Sequence, residues 1–399
     1  MNLESALSAV FSKRPNGCEG TPSTPEGKFL ALVLCWITEE KGPELPDKKS
    51  LYASAHISSH LGARAYQELL RCQWIQARRF EPTVSREGRA RRHIDVIRHV
   101  LVGSQDQIYG RGEQEQLKGL SVKNRLLLVS LLDRAEFSGK VGPISIGDLA
   151  QMTGLGANQI KVQLQKLKEL GLVSGVVPGA TGGAVFGKVK SYIYLNFLHM
   201  YWCDFFLDLS AVCLDASLWQ RIMKDESESL YRLMGDSSLD ELVRRPELGS
   251  YFRNAMLMLI SDILSLHWHD LRLNNAVSIL QMGRGVILKF LKAQVPASNV
   301  DILLTVVASI ASQIQTLLCK NDKGLMTRIG LENWHFCVLP QFGVHPQSMV
   351  VLTNCPHFPN RLDVNWLRTC SHDFWIMSGL MTSPDDAPLK LRSRRPGVV

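Results

Sequence analysis

Residues 144–173 read ISIGDLAQMTGLGANQIKVQLQKLKELGLV, and their pattern decides the fold of the middle of the chain. Ser145 precedes a short apolar run, and Asp148 stands three residues on, where a capping box usually carries Glu or Gln. Leu149 and Ala150 follow on the inner side of a short helix. Gly154 stands where that helix must stop and Gly156 where the next one starts, and glycine tolerates the backbone angles of so tight a turn. In the second helix Ile160, Leu164 and Leu167 are spaced four and three, so they share one face, which Leu170 extends. At about 100° per residue, Asn158, Lys161, Val162 and Gln165 then point away from the core, flanked by Gln159 and Lys166. After Gly156 the first acid is Glu169, at the far end of the helix.

Upstream, Ser121 caps a predicted helix running to Arg134, with Leu126, Leu127, Leu128, Leu131 and Leu132 on its apolar side. Downstream, Leu172 to Val177 and Val189 to Leu195 read as strands, the second alternating at Tyr192-Ile193-Tyr194-Leu195. A glycine-rich span, Gly179 to Gly187, joins them, and Lys188 and Lys190 stand just past its tip. Within it GGAVFGK, residues 182–188, fits the GxxxxGK phosphate-loop pattern. Val189 stands where Ser or Thr should meet magnesium, and a strand follows where a helix N-terminus should receive phosphate, so the mechanism of such a loop is missing.

Residues 120–196 resemble the winged helix-turn-helix family of bacterial regulators and replication initiators. The resemblance rests on the short helix, the glycine-bearing turn, the helix ending Lys-Glu-Leu-Gly-Leu-Val and the hairpin wing. It implies that the second helix docks in the major groove of duplex DNA, with the wing on the flanking backbone or minor groove. The outward residues suit that role. Asn and Gln pair bidentately with adenine, a valine methyl meets a thymine methyl, and lysines attract phosphate. The wing tip carries no Arg, which points to further contacts elsewhere.

The first hundred residues read as helices over 3–11 and 27–40 and as two helices over 50–70 split near Gly62, followed by an arginine-rich stretch. Trp74, Ile75, Phe80, Val84 and the run to Ile97 suggest two strands around a turn at Arg86-Glu87-Gly88. Such a hairpin would gather Arg78, Arg79, Arg86, Arg89, Arg91 and Arg92, the side chain suited to bidentate phosphate contacts. A solvated charged hairpin is the plainer reading; the functional one makes residues 1–110 a second, degenerate winged-helix unit. Gly103 to Leu117 is polar and glycine-bearing, as a linker is.

Beyond the wing, Phe197 to Leu214 is strongly aromatic, as core or interface segments are. Helical patterns over 217–234, 238–243, 249–273, 276–293 and 299–320 make 205–330 an expected all-α body. His267-Trp268-His269-Asp270 reads as a helix end, since ligands at i and i+2 on a helix diverge. His335 to Leu339 and Ser348 to Thr353 read as strands. Cys355, His357, Cys370 and His372 form two CxH pairs. Thiolate and imidazole are zinc ligands, but the one-residue gap is tighter than usual, so the pairs read as ordinary buried or surface residues.

The 399 residues allow two or three domains, and the 45% hydrophobic content suffices for sizeable cores. The net charge of +8 permits a nucleic-acid partner without demonstrating one. Nine scattered cysteines fit a reducing compartment. The start, MNLESALSAVFSKR, lacks a secretory apolar core, and Val300 to Leu318 contains Asp301, Gln313 and Gln315, against a membrane span. The fold expected is mainly α with small β wings. A helical domain with a basic hairpin occupies 1–110, a winged helix-turn-helix 111–200, an all-α body for dimerisation or a ligand 201–330, a small α+β segment 331–383 and a basic tail 384–399. No catalytic triad, carboxylate pair or cofactor motif is evident. The expectation is therefore a cytoplasmic, non-enzymatic, sequence-specific transcriptional regulator with double-stranded DNA as partner, acting as a homodimer, without cofactor or membrane. The alternatives are an initiator of replication or maintenance of a plasmid or integrated mobile element, with tandem winged units, and a protein-interaction scaffold.

Overall fold

The computed structural model describes residues 3–11, 20–42, 44–75, 90–102, 120–136, 138–179, 188–197, 209–214, 246–272, 297–321, 334–340, 349–354 and 374–378. These are mainly helical, with two small sheets. The chain divides into two units, Met1–Val173 with Ile193–Asn196, and Ser174–Tyr192 with Phe197–Val399.

The first unit opens with helices α1 (Leu3–Val10), α2 (Pro25–Lys41), α3 (Lys48–Ser54), α4 (Ser59–Arg71) and α5 (Ala90–Val102). Each of α2, α3 and α4 begins at a side-chain cap: Thr24, Asp47 and Ser58 accept from the amides of Gly27, Ser50 and Leu61. Helix α2 is the centre of this half. Phe29 to Cys35 is buried without interruption, and α1, α3, α4 and α5 all pack on it.

Helix α5 corrects the expected basic hairpin. The run from Ala90 is a helix, so Arg91 and Arg92 lie in its first turn and not on a strand. Its apolar positions Ile94, Ile97 and Leu101, with Val96 and Val100, recur at three and four residues, and all are buried. That is a helical period, and it outweighs the β-branched content that suggested a strand. Arg78, Arg79, Arg86 and Arg89 lie outside the described residues.

Then come α6 (Val122–Leu132), β1 (Lys140–Ile144), α7 (Ile146–Thr153), α8 (Ala157–Glu169), β2 (Val173–Val177) and β3 (Ser191–Leu195). The three strands form one sheet in the order β1-β3-β2. Helix α6 is buried from Asn124 to Leu132 and packs on α2, α5, α7 and α8. In β3 the four residues Tyr192 to Leu195 are all buried, not alternately buried and exposed, so both faces of this strand are covered.

In the second unit, β4 (Leu209–Leu214) corrects the expected all-α body. It joins β5 (Trp334–Leu339), β6 (Met349–Asn354) and β7 (Phe374–Ser378) in a sheet ordered β5-β6-β4-β7. Ala211 pairs with Val351 on one side and Met377 on the other, both antiparallel. A strand with partners on both edges satisfies the backbone groups along most of its length. Helix α9 (Pro246–Leu266) packs on β5 and on α11 (Ala297–Asn321), with the short α10 (Trp268–Arg272) between α9 and α11 in sequence.

The edge strand β5 is protected by serines. Ser261 and Ser265, one turn apart on α9, accept from the amides of Val338 at 2.8 Å and Phe336 at 2.9 Å. Each hydroxyl donates to the carbonyl four residues back in its own helix. His267 sits at the junction of α9 and α10 with Nδ1 3.0 Å from Asp270 Oδ2, a helix-end arrangement as expected. No helix among the described residues is long and apolar enough to cross a membrane.

Candidate nucleic-acid interface

Helix α7 begins at Ser145, whose hydroxyl accepts from the Asp148 amide at 3.0 Å while the Asp148 carboxylate accepts from the Ser145 amide at 2.9 Å. The helix ends at Gly154 with φ +73°. Glycine is required there twice over. The angle is left-handed, and a Cβ would lie 2.4 Å from the Ser23 carbonyl oxygen. Leu155, buried in the turn, and Gly156 lead into α8.

On α8 the buried residues are Ile160, Leu164 and Leu167. Asn158, Gln159, Lys161, Val162 and Gln165 are exposed, and Lys166 is half-buried. Val162 is 63% exposed, so its methyls face outward. Gln159 is committed in part, because its amide oxygen accepts from the Gly156 amide at 3.3 Å and so closes the start of the helix. Gln165 donates to Glu169 at 3.2 Å, and Lys166 lies 3.9 Å from the same carboxylate. Glu169 therefore turns toward its neighbours at the end of the face, and a base edge reaching Gln165 must compete with it.

Lys188 and Lys190 are exposed before β3. The base of the hairpin is closed where Ser191 Oγ accepts from the Gly179 amide at 2.9 Å. The glycine-rich residues 180–187 lie outside the described part, as do Cys355, His357, Cys370 and His372. Among the described residues no cluster of His, Cys, Asp and Glu could hold a metal ion.

What holds α7 and α8 in place comes from residues far away in the chain. The Lys28 ammonium on α2 donates to the carbonyls of Met152 at 2.7 Å and Gln151 at 3.0 Å, in the last turn of α7, and to Val10 at 3.3 Å, the last residue of α1. A cation belongs at helix C-termini, where the carbonyls lack intrahelical partners and the dipole is negative. Burial pulls the Lys28 pKa down to about 8, against the opposing pull of Glu68. Glu68, on α4, accepts from the Ser23 amide at 2.6 Å, the Ser23 hydroxyl at 2.9 Å, the Thr24 amide at 2.9 Å and the Thr24 hydroxyl. Burial raises its pKa, but these four donors outweigh burial and leave it below the usual carboxylate range. The Ser23 carbonyl is the atom that lies against Gly154.

Arg125 on α6 is the second buried cation. Its Nε donates to the Val100 carbonyl at 2.8 Å, Nη1 to Ala55 at 2.8 Å and Nη2 to Leu101, and its guanidinium lies 4.7 Å from the Phe29 ring centroid. These acceptors close the C-terminal ends of α3 and α5. Burial lowers its pKa to about 10. No sequence pattern announces either cation, since their acceptors lie 18 to 124 residues away. Comparison of the chain with protein-family models, with curated proteins and with solved structures finds no match.

Proposed function

We propose that the chain is a sequence-specific regulator that binds double-stranded DNA in the cytoplasm through a winged helix-turn-helix, with α8 in the major groove. The observation that carries the reading is the outward face of α8. Asn158, Lys161, Val162 and Gln165 are all exposed, and no acid precedes Glu169. An amide, a cation, a methyl pair and a second amide are what a major-groove reader needs, and an outward valine offers its methyls to a thymine. The order helix, strand, helix, turn, helix, hairpin and the sheet order β1-β3-β2 support it, as does the brace from α2 that fixes the angle of the turn. Lys188 and Lys190 follow the hairpin tip and would meet the flanking phosphates.

Few cations lie on this surface, so a second copy of the chain would supply further contacts; sedimentation with and without duplex tests that. The function itself is tested by selecting binding sites from a random duplex pool with the purified full chain, then with Lys161→Ala and Gln165→Ala. Each variant is expected to fold and to relax the selected sequence by about 1–3 kcal/mol at one base pair, Gln165→Ala at an adenine and Lys161→Ala at a guanine whose O6 and N7 the ammonium would meet. Unchanged selectivity in both variants would remove α8 as the reader. Absence of duplex binding at low salt would remove the function and leave a scaffold role.

A further inference from the structure

The three helices before α8 have a counterpart earlier in the same unit. Helices α2, α3 and α4 pack pairwise on one another, as α6, α7 and α8 do. Lys48 and Ile146 open the middle helices, and Ser59 and Ala157 open the last ones, the same interval in both cases (146 − 48 and 157 − 59). Helices α4 and α8 are both 13 residues long, and each follows a short capped helix and a tight turn. Gly62 takes the place of Ile160 and Leu69 that of Leu167 on the buried faces. A Cβ on Gly62 would lie 2.6 Å from the Tyr52 ring, so α3 and α4 cross there in close contact.

The outer face of α4 follows from this packing. With Gly62, Ala65 and Leu69 inward, His60, Arg64, Gln67 and Arg71 fall within an arc of about 60° on the opposite side. All four are exposed. They occupy the places that Asn158, Val162, Gln165 and Glu169 hold on α8. The one acid of the helix, Glu68, is turned aside, its carboxylate bound by Ser23 and Thr24. Among the described residues no carboxylate lies within ion-pairing distance of Arg64 or Arg71; Arg71 Nε donates only to the Gln67 carbonyl, at 3.4 Å. Lys48 adds a cation beside the helix, its ammonium 4.8 Å from the Tyr66 ring centroid.

We infer that α4 is a second duplex-contacting helix, with His60, Arg64, Gln67 and Arg71 as its face toward DNA. The inference rests on the proposed DNA-binding function of α8. Charge selects the occupant, since a face with two arginines, no free acid and an amide suits phosphates and base edges, not an acid-poor protein surface. It also supplies the cations that α8 lacks. The two helices are joined through a single segment, because Ser23 binds α4 through Glu68 and meets the α7–α8 turn at Gly154.

The test uses the full chain, the duplex selected by the wild-type protein, and the double substitution Arg64→Ala/Arg71→Ala. Expected are a loss of affinity of about tenfold or more, a fall of about 2 in the slope of log affinity against log salt, and a footprint shortened at one end. The sequence selected by α8 is expected to stay the same. Arg64→Lys/Arg71→Lys is expected to restore the slope, and it decides the matter if the alanine pair melts early. An unchanged slope and footprint, with Lys161→Ala and Gln165→Ala still relaxing the selected sequence, would overturn the role of α4 alone. Absence of duplex binding by the wild-type chain would instead overturn the function on which it rests.

Discussion

Lys28 and Arg125 are buried cations that donate to carbonyls at helix C-termini, so each is tied to backbone geometry. Removing Arg125 leaves three buried carbonyls without a donor. Arg125→Leu is expected to cost about 3 kcal/mol or more in a denaturant titration. Arg125→Lys should recover only part of that loss, because a point ammonium cannot span acceptors that a planar fork reaches together. Lys28 carries a pH signature. Below pH 8 both the folded and the unfolded chain hold its proton. Between about 8 and 10.5 the folded protein has released the proton while the unfolded chain still binds it, so stability rises with pH across that window. Against Lys28→Met the rise is expected to be on the order of 2–3 kcal/mol in urea titrations at the two ends of the window. The Cys35 thiol, pushed up to about 12 by burial, acts in the opposite sense above pH 9, but it is common to both proteins and cancels in the difference. A flat difference would mean that Nζ is hydrated in the folded state.

At the scale of elements, edges and ends decide what is stable. Strand β5 closes one side of its sheet, and the two serines of α9 take the amides that would otherwise face outward. With Ser261→Ala/Ser265→Ala those amides lose buried acceptors. Hydrogen exchange at Phe336 and Val338 is expected to speed up selectively, with a stability loss of about 1–2 kcal/mol per hydroxyl. Equal protection in the variant would show that β5 needs no cover. Helices with a clean period were legible in the sequence: α8, its turn glycines and the Ser145–Asp148 capping box all stand where spacing placed them. In α5 the β-branched Ile94, Val96 and Ile97 favour a strand locally, but the three- and four-residue spacing through Val100 and Leu101 wins and makes a helix. A short apolar run such as Leu209–Leu214 carries no period that separates a central strand from a helix, so its partners β6 and β7 decide it.

For the whole molecule, the proposed function makes a quantitative demand on salt. If α8, Lys188 and Lys190 together neutralise about four phosphates, duplex affinity is expected to fall by about a hundredfold between 50 and 200 mM salt. Fluorescence anisotropy with the selected duplex measures this, and a salt-independent affinity would argue against a phosphate-anchored complex. A drop much steeper than that would point to the further cations of α4. The sequence by itself determined the local pieces: which faces of α8 are buried, where its turn lies, and that Asn158, Lys161, Val162 and Gln165 look outward. These depend on helical period and on glycine stereochemistry, both of which act within a few residues. Only the tertiary structure decided that Lys28 and the Glu68-bound Ser23 brace that turn, that Arg125 ties α3 to α5, and that β4 pairs with β6 and β7. Those contacts join groups that are distant in the chain and satisfy buried polar atoms whose need for partners arises only once the helices and strands have packed.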